Sequence, residues 1–142
     1  MRRSTMTFII LATLTLASGM LWGKPAASED PDRLAVLWTS GDPDVAHKVC
    51  LMYTHVAKTA EWFDEVLLIV WGPSQKLLAD DKDVQDKVKA MKADGIQVQV
   101  CFYCAKSYGL TEQLRGLGFE VKPMGVPLTE VLKSDDWKLL TF

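Results

Sequence analysis

Hydrophobic residues in this chain form short, nearly continuous runs that alternate with longer segments of helical periodicity. Such runs are typical of strands that are covered on both faces, as in a parallel sheet. Five runs predict β-strands, at 34–38, 66–71, 96–101, 119–122 and 137–142. Five intervening segments predict helices, at about 45–60, 76–79, 84–94, 105–117 and 127–133. The alternation indicates an α/β protein.

The order of these elements predicts a three-layer α/β/α sandwich around a five-stranded, mostly parallel sheet, with helices on both faces. In the first helix, five apolar residues recur at helical spacing and are expected to face the sheet: Val45, Val49, Met52, Val56 and Ala57. Functional groups of such a fold are expected beyond the carboxyl ends of the strands. Four loops qualify, at 39–44, 71–74, 101–108 and 124–127.

The first residues form a separate segment. Arg2 and Arg3 precede an apolar run at 6–22, which is the arrangement of an export signal. We therefore predict a signal peptide at 1–19, with residue 27 as an alternative end, a linker at 20–32 and one domain at 33–142. The mature protein is expected to be exported, to the periplasm in a bacterium, without stable membrane association. The alternative is an uncleaved membrane anchor, because about 17 apolar residues lie at the short end of what spans a bilayer.

Composition narrows the range of functions. With 142 residues, of which 49% are hydrophobic, the chain has the size of one globular domain. The 16 basic and 18 acidic residues give a net charge of -2, so there is no basic excess to bind a nucleic acid. Three cysteines are too few for a disulfide-based scaffold, and a chain of this length buries a core without one.

The loop at 101–108 contains the strongest candidate nucleophiles, Cys101 and Cys104 in a CxxC motif. At a strand-to-helix junction, main-chain N–H groups and the helix dipole stabilise a thiolate, the reactive form of cysteine. The alternative is that both are small, buried apolar residues.

A zinc site needs more ligands than the two cysteines of this motif. The other candidate ligands, Cys50, His47 and His55, lie on one helix at spacings that form no second CxxC. We therefore expect no metal and no cofactor.

Residues of the neighbouring loops are candidates for a pocket around the cysteines. Ser40 and Asp42 either shape an anion pocket or form a turn that caps the first helix. Trp71 either walls the pocket or fills the edge of the core. Lys106 either attracts an anionic sulfur species or simply faces solvent.

Five motifs follow one another along the predicted domain: Leu34-Ala35-Val36-Leu37-Trp38-Thr39-Ser40-Gly41-Asp42, Ile69-Val70-Trp71-Gly72-Pro73-Ser74, Cys101-x-x-Cys104-Ala105 with Tyr108-Gly109, Met124-Gly125-x-Pro127, and Trp137-Lys138-Leu139-Leu140-Thr141-Phe142. Together they resemble a DsrE-type protein of the DsrE/DsrF-like sulfur-relay superfamily. The resemblance implies the same three-layer fold and assembly into homo-oligomers, commonly trimers or hexamers. It also adds Tyr108 to the candidate pocket residues.

The resemblance assigns different roles to the two cysteines of the motif. In sulfur-carrying members, one cysteine at the end of a strand accepts a persulfide and passes it on. That cysteine precedes a glycine of the family by eight positions, and counting back from Gly109 gives Cys101. Cys104 stands where relay subunits often have alanine, which implies a resolving thiol able to form a disulfide with Cys101.

These features predict a small sulfur carrier, sulfurtransferase-like if active, which takes up sulfane sulfur as a persulfide on Cys101 and passes it to a partner thiol. Its partners would be a sulfur-donor or sulfur-acceptor protein and further copies of the chain. Two alternatives stay open. One is a non-catalytic oligomeric assembly or small-ligand-binding protein whose cysteines are inert. The other is a dithiol oxidoreductase that uses Cys101 and Cys104 as a redox couple.

Overall fold

The structure, a computed structural model, describes residues 33–142. The predicted signal peptide at 1–19, its alternative end at 27 and the linker at 20–32 therefore lie outside the described residues. One parallel sheet contains the strands β1 (Arg33–Trp38), β2 (Glu65–Val70), β3 (Gln97–Cys101), β4 (Glu120–Lys122) and β5 (Trp137–Thr141). All five predicted strands are confirmed, and the sheet, predicted to be mostly parallel, is parallel in every pairing.

Helices connect the strands and cover both faces of the sheet. They are α1 (Pro43–Val45), a π-helical segment (Ala46–Cys50), α2 (Leu51–Thr59), α3 (Ser74–Asp80), α4 (Lys82–Ala93), α5 (Phe102–Tyr108), α6 (Thr111–Gly116) and α7 (Gly125–Lys133). Buried side chains of α2 to α6 share one core with one face of the sheet. Leu128 and Val131 of α7 share a second core with Ala35, Leu67 and Ile69 on the opposite face. The predicted α/β/α sandwich is confirmed.

The order of the strands places a crevice between β3 and β4. The sheet order is β4-β3-β2-β1-β5, so the chain steps from β1 to β4 in one direction and then returns to the far side of β1. Because crossovers between parallel strands share one hand, this reversal moves the connecting helix to the opposite face. The chain consequently leaves β3 towards α5 on one face and leaves the adjacent β4 towards α7 on the other. Ligands of open α/β sheets bind at such a switch point.

The helix predicted at 105–117 is instead two helices, α5 and α6. Gly109 ends α5 in the left-handed conformation, with a φ of 71°, and its N–H donates to the carbonyl of Lys106 at 3.1 Å. The Leu110 N–H donates to the carbonyl of Ala105 at 2.8 Å, which completes a helix C-terminal cap. The break shortens the helix that follows Cys101 to seven residues.

The face of the first helix differs from the prediction. Val49, Met52 and Val56, which were expected to face the sheet, are 43%, 53% and 40% exposed. Ala57 is buried as predicted, and the other buried residues of this region are Ala46, Cys50, Leu51 and Thr54. A π-helical turn holds one residue more than an α-helical turn, so the segment Ala46–Cys50 shifts the buried face relative to an uninterrupted 3.6-residue periodicity.

None of the helices within residues 33–142 has the length and apolar character needed to cross a bilayer.

Candidate functional site

The CxxC motif lies at the carboxyl edge of the sheet, beside the crevice between β3 and β4. Cys101 is the last residue of β3 and the N-terminal cap of α5, and it is only 2% exposed. Cys104 follows in the first turn of α5 and is half-buried. Side chains at a helix N-cap and three residues later lie next to each other. Both cysteines pack at the second core, on the face that α7 covers.

The two thiols are close enough to affect each other's ionisation, and the main-chain N–H of Gly72 lies close enough to the sulfur of Cys104 to favour its charged form. Burial raises the pKa of Cys104, and the Gly72 N–H opposes that effect. The hydrogen bond to Cys101 and the charge of its sulfur raise the pKa of Cys104 further. Cys104 therefore holds its proton and is the donor of the pair when Cys101 is ionised. All three cysteines are free thiols.

The loop that follows β2 closes over the thiol pair. Gly72 adopts a positive φ of 67°, which is available to glycine without steric cost, and this conformation presents its N–H to Cys104. Trp71 packs in the same apolar cluster as the two cysteines. Its N–H donates to the carbonyl of Trp38 at 2.9 Å, so the loop is held against the end of β1. Of the predicted pocket residues, Trp71 is the one that the structure brings next to the cysteines.

Two polar residues that are not among the predicted pocket residues hold this edge of the sheet together. The buried hydroxyl of Ser74 donates to the carbonyl of Trp38 at 2.7 Å and accepts the Trp71 N–H at 3.2 Å. The fully buried Gln75 donates from Nε2 to the carbonyls of Val70, at 3.1 Å, and Cys101, at 3.0 Å. Ser74 ends the second motif of the sequence, whereas no pattern marks Gln75, because a polar residue after a Gly-Pro turn is expected to be exposed.

The other predicted pocket residues have different surroundings. Asp42 Oδ1 accepts the N–H groups of Asp44 and Val45, at 2.8 and 3.1 Å, so it caps α1. Ser40 Oγ accepts the Asp42 N–H at 3.1 Å within the same turn. This arrangement is the turn-and-cap alternative of the sequence analysis, and no contact of these side chains with the thiol pair supports the anion pocket.

The two predicted pocket residues of α5 lie further along that helix. Lys106 is exposed on α5. Tyr108 lies under the ammonium of Lys76, whose Nζ is 4.4 Å from the ring centre, a cation–π contact that joins α3 to α5. A role for Lys106 or Tyr108 in binding stays a prediction.

Cys50 is separate from this site. It is fully buried in the first core, and burial raises its pKa to about 12, although a hydrogen bond from Thr54 opposes the effect. A thiol that stays protonated at neutral pH is neither a nucleophile nor a metal ligand. Cys50 is therefore a core residue.

The two histidines make structural contacts. His47 Nε2 lies 3.9 Å from a carboxylate oxygen of Asp81. His55 joins α2 to α4, because its Nε2 is 2.6 Å from Asp94 Oδ2 and its Nδ1 is 2.7 Å from Lys87 Nζ. Among the described residues, no three His, Cys, Asp or Glu side chains converge as a metal site would require.

A cleft of about 390 Å³ opens on the face of the sheet that α7 covers. It is lined by Leu67, Gln99, Lys122, Pro127, Glu130, Val131, Ser134 and Trp137. Lys122 links this cleft to the thiol pair, because it is the register partner of Cys101 across β3 and β4. Register partners in a parallel sheet project to the same face. Lys122 and Cys101 therefore lie on the same face of the sheet, and the Lys122 ammonium is paired with the Glu120 carboxylate at 3.0 Å.

A parallel α/β domain with paired thiols at its switch point defines a class of protein suited to sulfur chemistry. The model of the DsrE/DsrF-like family matches residues 34–142, and the chain belongs to this family. Membership indicates a role related to sulfur relay.

The fold is also similar to the solved structure of a conserved protein of unknown function from Bacteroides thetaiotaomicron. That structure shares 34% identity and a TM-score of 0.75, over 82% of this chain and 99% of the other. Comparison with curated proteins finds no match.

Proposed function

We propose that this protein is a small sulfur carrier in which Cys101 takes up sulfane sulfur as a persulfide and passes it to a partner thiol. The observation that carries the proposal is the pair of adjacent free thiols at the switch point of the sheet. Membership of a family related to sulfur relay supports the same chemistry. Cys50 is excluded as the carrier because it is buried in the core and keeps its proton.

Transfer would proceed in two displacements. The Cys101 thiolate attacks the sulfane sulfur of a donor, a new S–S bond forms, and the bond from that sulfur to the rest of the donor breaks. A partner thiolate then attacks the outer sulfur, and the Cys101 thiolate leaves. Cys104 assists by donating its S–H to the sulfur of Cys101 wherever that sulfur carries charge.

Mass spectrometry tests the proposal directly. Reduced, folded protein carrying Cys104→Ser is incubated with thiosulfate, because this variant retains Cys101 and has no adjacent thiol to react with the adduct. We expect a gain of one sulfur atom per chain, and we expect Cys101→Ser to abolish it. Cys50→Ala is the matched control and should leave the gain unchanged. If the folded Cys104→Ser protein takes up no sulfur from either thiosulfate or a persulfide donor, the proposal is wrong.

A dithiol oxidoreductase is the second candidate, and the contact between the Cys101 and Cys104 thiols favours it. Such an enzyme would exchange electrons with a dithiol or disulfide without any sulfane donor. Turnover of a disulfide substrate in the absence of sulfane sulfur, with a reduction potential near that of the substrate, would favour this candidate over the carrier.

An inert protein is the third candidate, and the low exposure of Cys101 favours it. The exposed apolar residues Val49, Met52 and Val56 are suited to assembly with other copies, a role that needs no reactive thiol. Alkylation of the folded protein separates the candidates. If both thiols of the CxxC motif resist the reagent at pH 8 while the unfolded chain reacts, the inert candidate is favoured.

A further inference from the structure

The two thiols of the CxxC motif differ in access to solvent. Cys101 is 2% exposed, whereas Cys104, in the first turn of α5, is only half-buried. An external thiol must enter this site before it can reach a sulfur on Cys101. Cys104 already lies next to that sulfur, because the two residues occupy the N-cap and the first turn of α5 and share one apolar cluster. Groups held in contact react as if at very high concentration, so the internal thiol has the advantage over an external one.

We propose, as an extension that rests on the persulfide function above, that Cys104 reduces the persulfide on Cys101 and releases its outer sulfur as hydrosulfide. Cys104 first gives its proton to the charged outer sulfur of the persulfide, and the resulting Cys104 thiolate attacks the inner sulfur. A Cys101–Cys104 disulfide forms, the bond between inner and outer sulfur breaks, and the outer sulfur leaves as HS⁻. The sulfane sulfur gains two electrons, and each cysteine sulfur loses one.

The surroundings of Cys104 are suited both to the transfer of its proton and to the attack by its sulfur. Cys104 lies in the turn that Cys101 caps, and burial raises the pKa of Cys104, so a proton is held next to Cys101 for transfer to the outer sulfur of a persulfide. The Gly72 N–H donates to the sulfur of Cys104 and stabilises the negative charge that develops as the proton departs. The Nε2 of Gln75 holds the main chain of Cys101 at the same edge of the sheet.

The product is a protein in a resting oxidised state. The disulfide would close between the N-cap of α5 and its first turn, without displacement of another helix. An external dithiol reductant must then reduce the disulfide by thiol–disulfide exchange before another sulfur is accepted. The overall reaction is the reduction of sulfane sulfur to sulfide at the expense of a dithiol. The carrier function would be seen only when a partner thiol removes the outer sulfur before Cys104 attacks.

The test compares the wild type with Cys104→Ser and Cys104→Ala, all reduced, freed of reductant and handled without oxygen. Each is incubated with thiosulfate, and in parallel with glutathione persulfide against a blank without protein. The wild type should release about one sulfide per chain, lose the mass of two hydrogen atoms and retain no added sulfur. Both variants should retain one added sulfur and release sulfide only when a thiol is added. The control Cys50→Ala should behave as the wild type.

Different results overturn the two proposals. If the wild type retains an added sulfur while Cys104 stays open to alkylation, the internal reduction is wrong and the carrier function stands. If the wild type forms its disulfide but releases no sulfide above the blank, the internal reduction is also wrong. If neither the wild type nor either variant takes up sulfur or releases sulfide, the persulfide function itself is wrong.

Discussion

The side-chain amide of Gln75 donates a hydrogen bond to the main-chain carbonyl of Cys101, with 3.0 Å between Nε2 and the oxygen. The same nitrogen donates to the carbonyl of Val70 at 3.1 Å. Both protons of one fully buried amide are thus used to join the carboxyl ends of β2 and β3. This side chain therefore adds a link, beyond the β2–β3 pairing, between the end of β2 and the end of the strand that terminates in Cys101.

Replacement of Gln75 by leucine should lower both stability and sulfur uptake. It leaves two buried carbonyl groups without donors, at a cost of about 1–3 kcal/mol each. It also frees the main chain at Cys101, so we expect the rate of sulfur uptake to fall roughly tenfold. Urea unfolding and the time course of the mass increase in a Cys104→Ser background measure the two effects.

Gln85 provides the matched control for this variant. It is a second buried glutamine, and its Nε2 donates to the carbonyl of Ala79 at 2.9 Å, far along the chain from the cysteines. Gln85→Leu should lower the free energy of unfolding but leave the rate of sulfur uptake unchanged. Equal rates in the two glutamine variants would contradict a positioning role for Gln75.

Cys50 should make stability depend on pH in the alkaline range. Its pKa is about 12 in the folded chain, compared with an ordinary value of 9.0. Above about pH 9 the thiol of the unfolded chain ionises while the folded chain keeps the proton, so a rise in pH favours unfolding. The contribution is constant below pH 9 and is lost progressively between about 9 and about 12. Urea unfolding at pH 8, 9.5 and 10.5 should show a steeper decline for the wild type than for Cys50→Ala. If stability declines equally in the two proteins, the raised pKa of Cys50 in the folded chain is wrong.

Cys104 should become easier to alkylate when Cys101 is replaced by alanine. Burial raises the pKa of Cys104, and the hydrogen bond and charge of Cys101 add to that increase. Cys101→Ala removes the last two effects and leaves most of the burial in place. The profile of iodoacetamide reaction against pH should therefore move to lower pH in the variant. An unchanged profile would mean that the two thiols do not interact in solution.

The strands and the place of the CxxC motif are predictable for a simple physical reason. Central strands of a parallel sheet are apolar along their whole length, and such runs stand out from the charged helices around them. The prediction that Cys101 ends a strand at the carboxyl edge follows directly from this pattern. Only the strand order, which sequence periodicity does not encode, shows that this edge is the switch point between β3 and β4.

The buried polar residues and the buried face of the first helix are not predictable in the same way. Gln75 follows a turn and precedes Lys76, so the local sequence predicts an exposed side chain, although Gln75 is fully buried. The π-helical segment Ala46–Cys50 has no residue signature, and without it the periodicity places Val49 and Met52 on the wrong face. In both cases tertiary contacts, and not local preference, determine the structure.

Two glycines should respond in opposite directions to replacement by alanine. Gly109 has a φ of 71°, and a Cβ there would meet no atom within 4 Å. Gly109→Ala should therefore lower the free energy of unfolding only by the strain of holding alanine in the left-handed conformation, about 1 kcal/mol. Gly116 ends α6 without a positive φ and is equally open, so Gly116→Ala should stabilise the helix by up to about 1 kcal/mol. Thermal unfolding of the two variants measures the loss of stability expected for Gly109→Ala and the gain expected for Gly116→Ala. Stabilisation by both alanines would show that α5 continues past Gly109 in solution, as the uninterrupted helix at 105–117 requires.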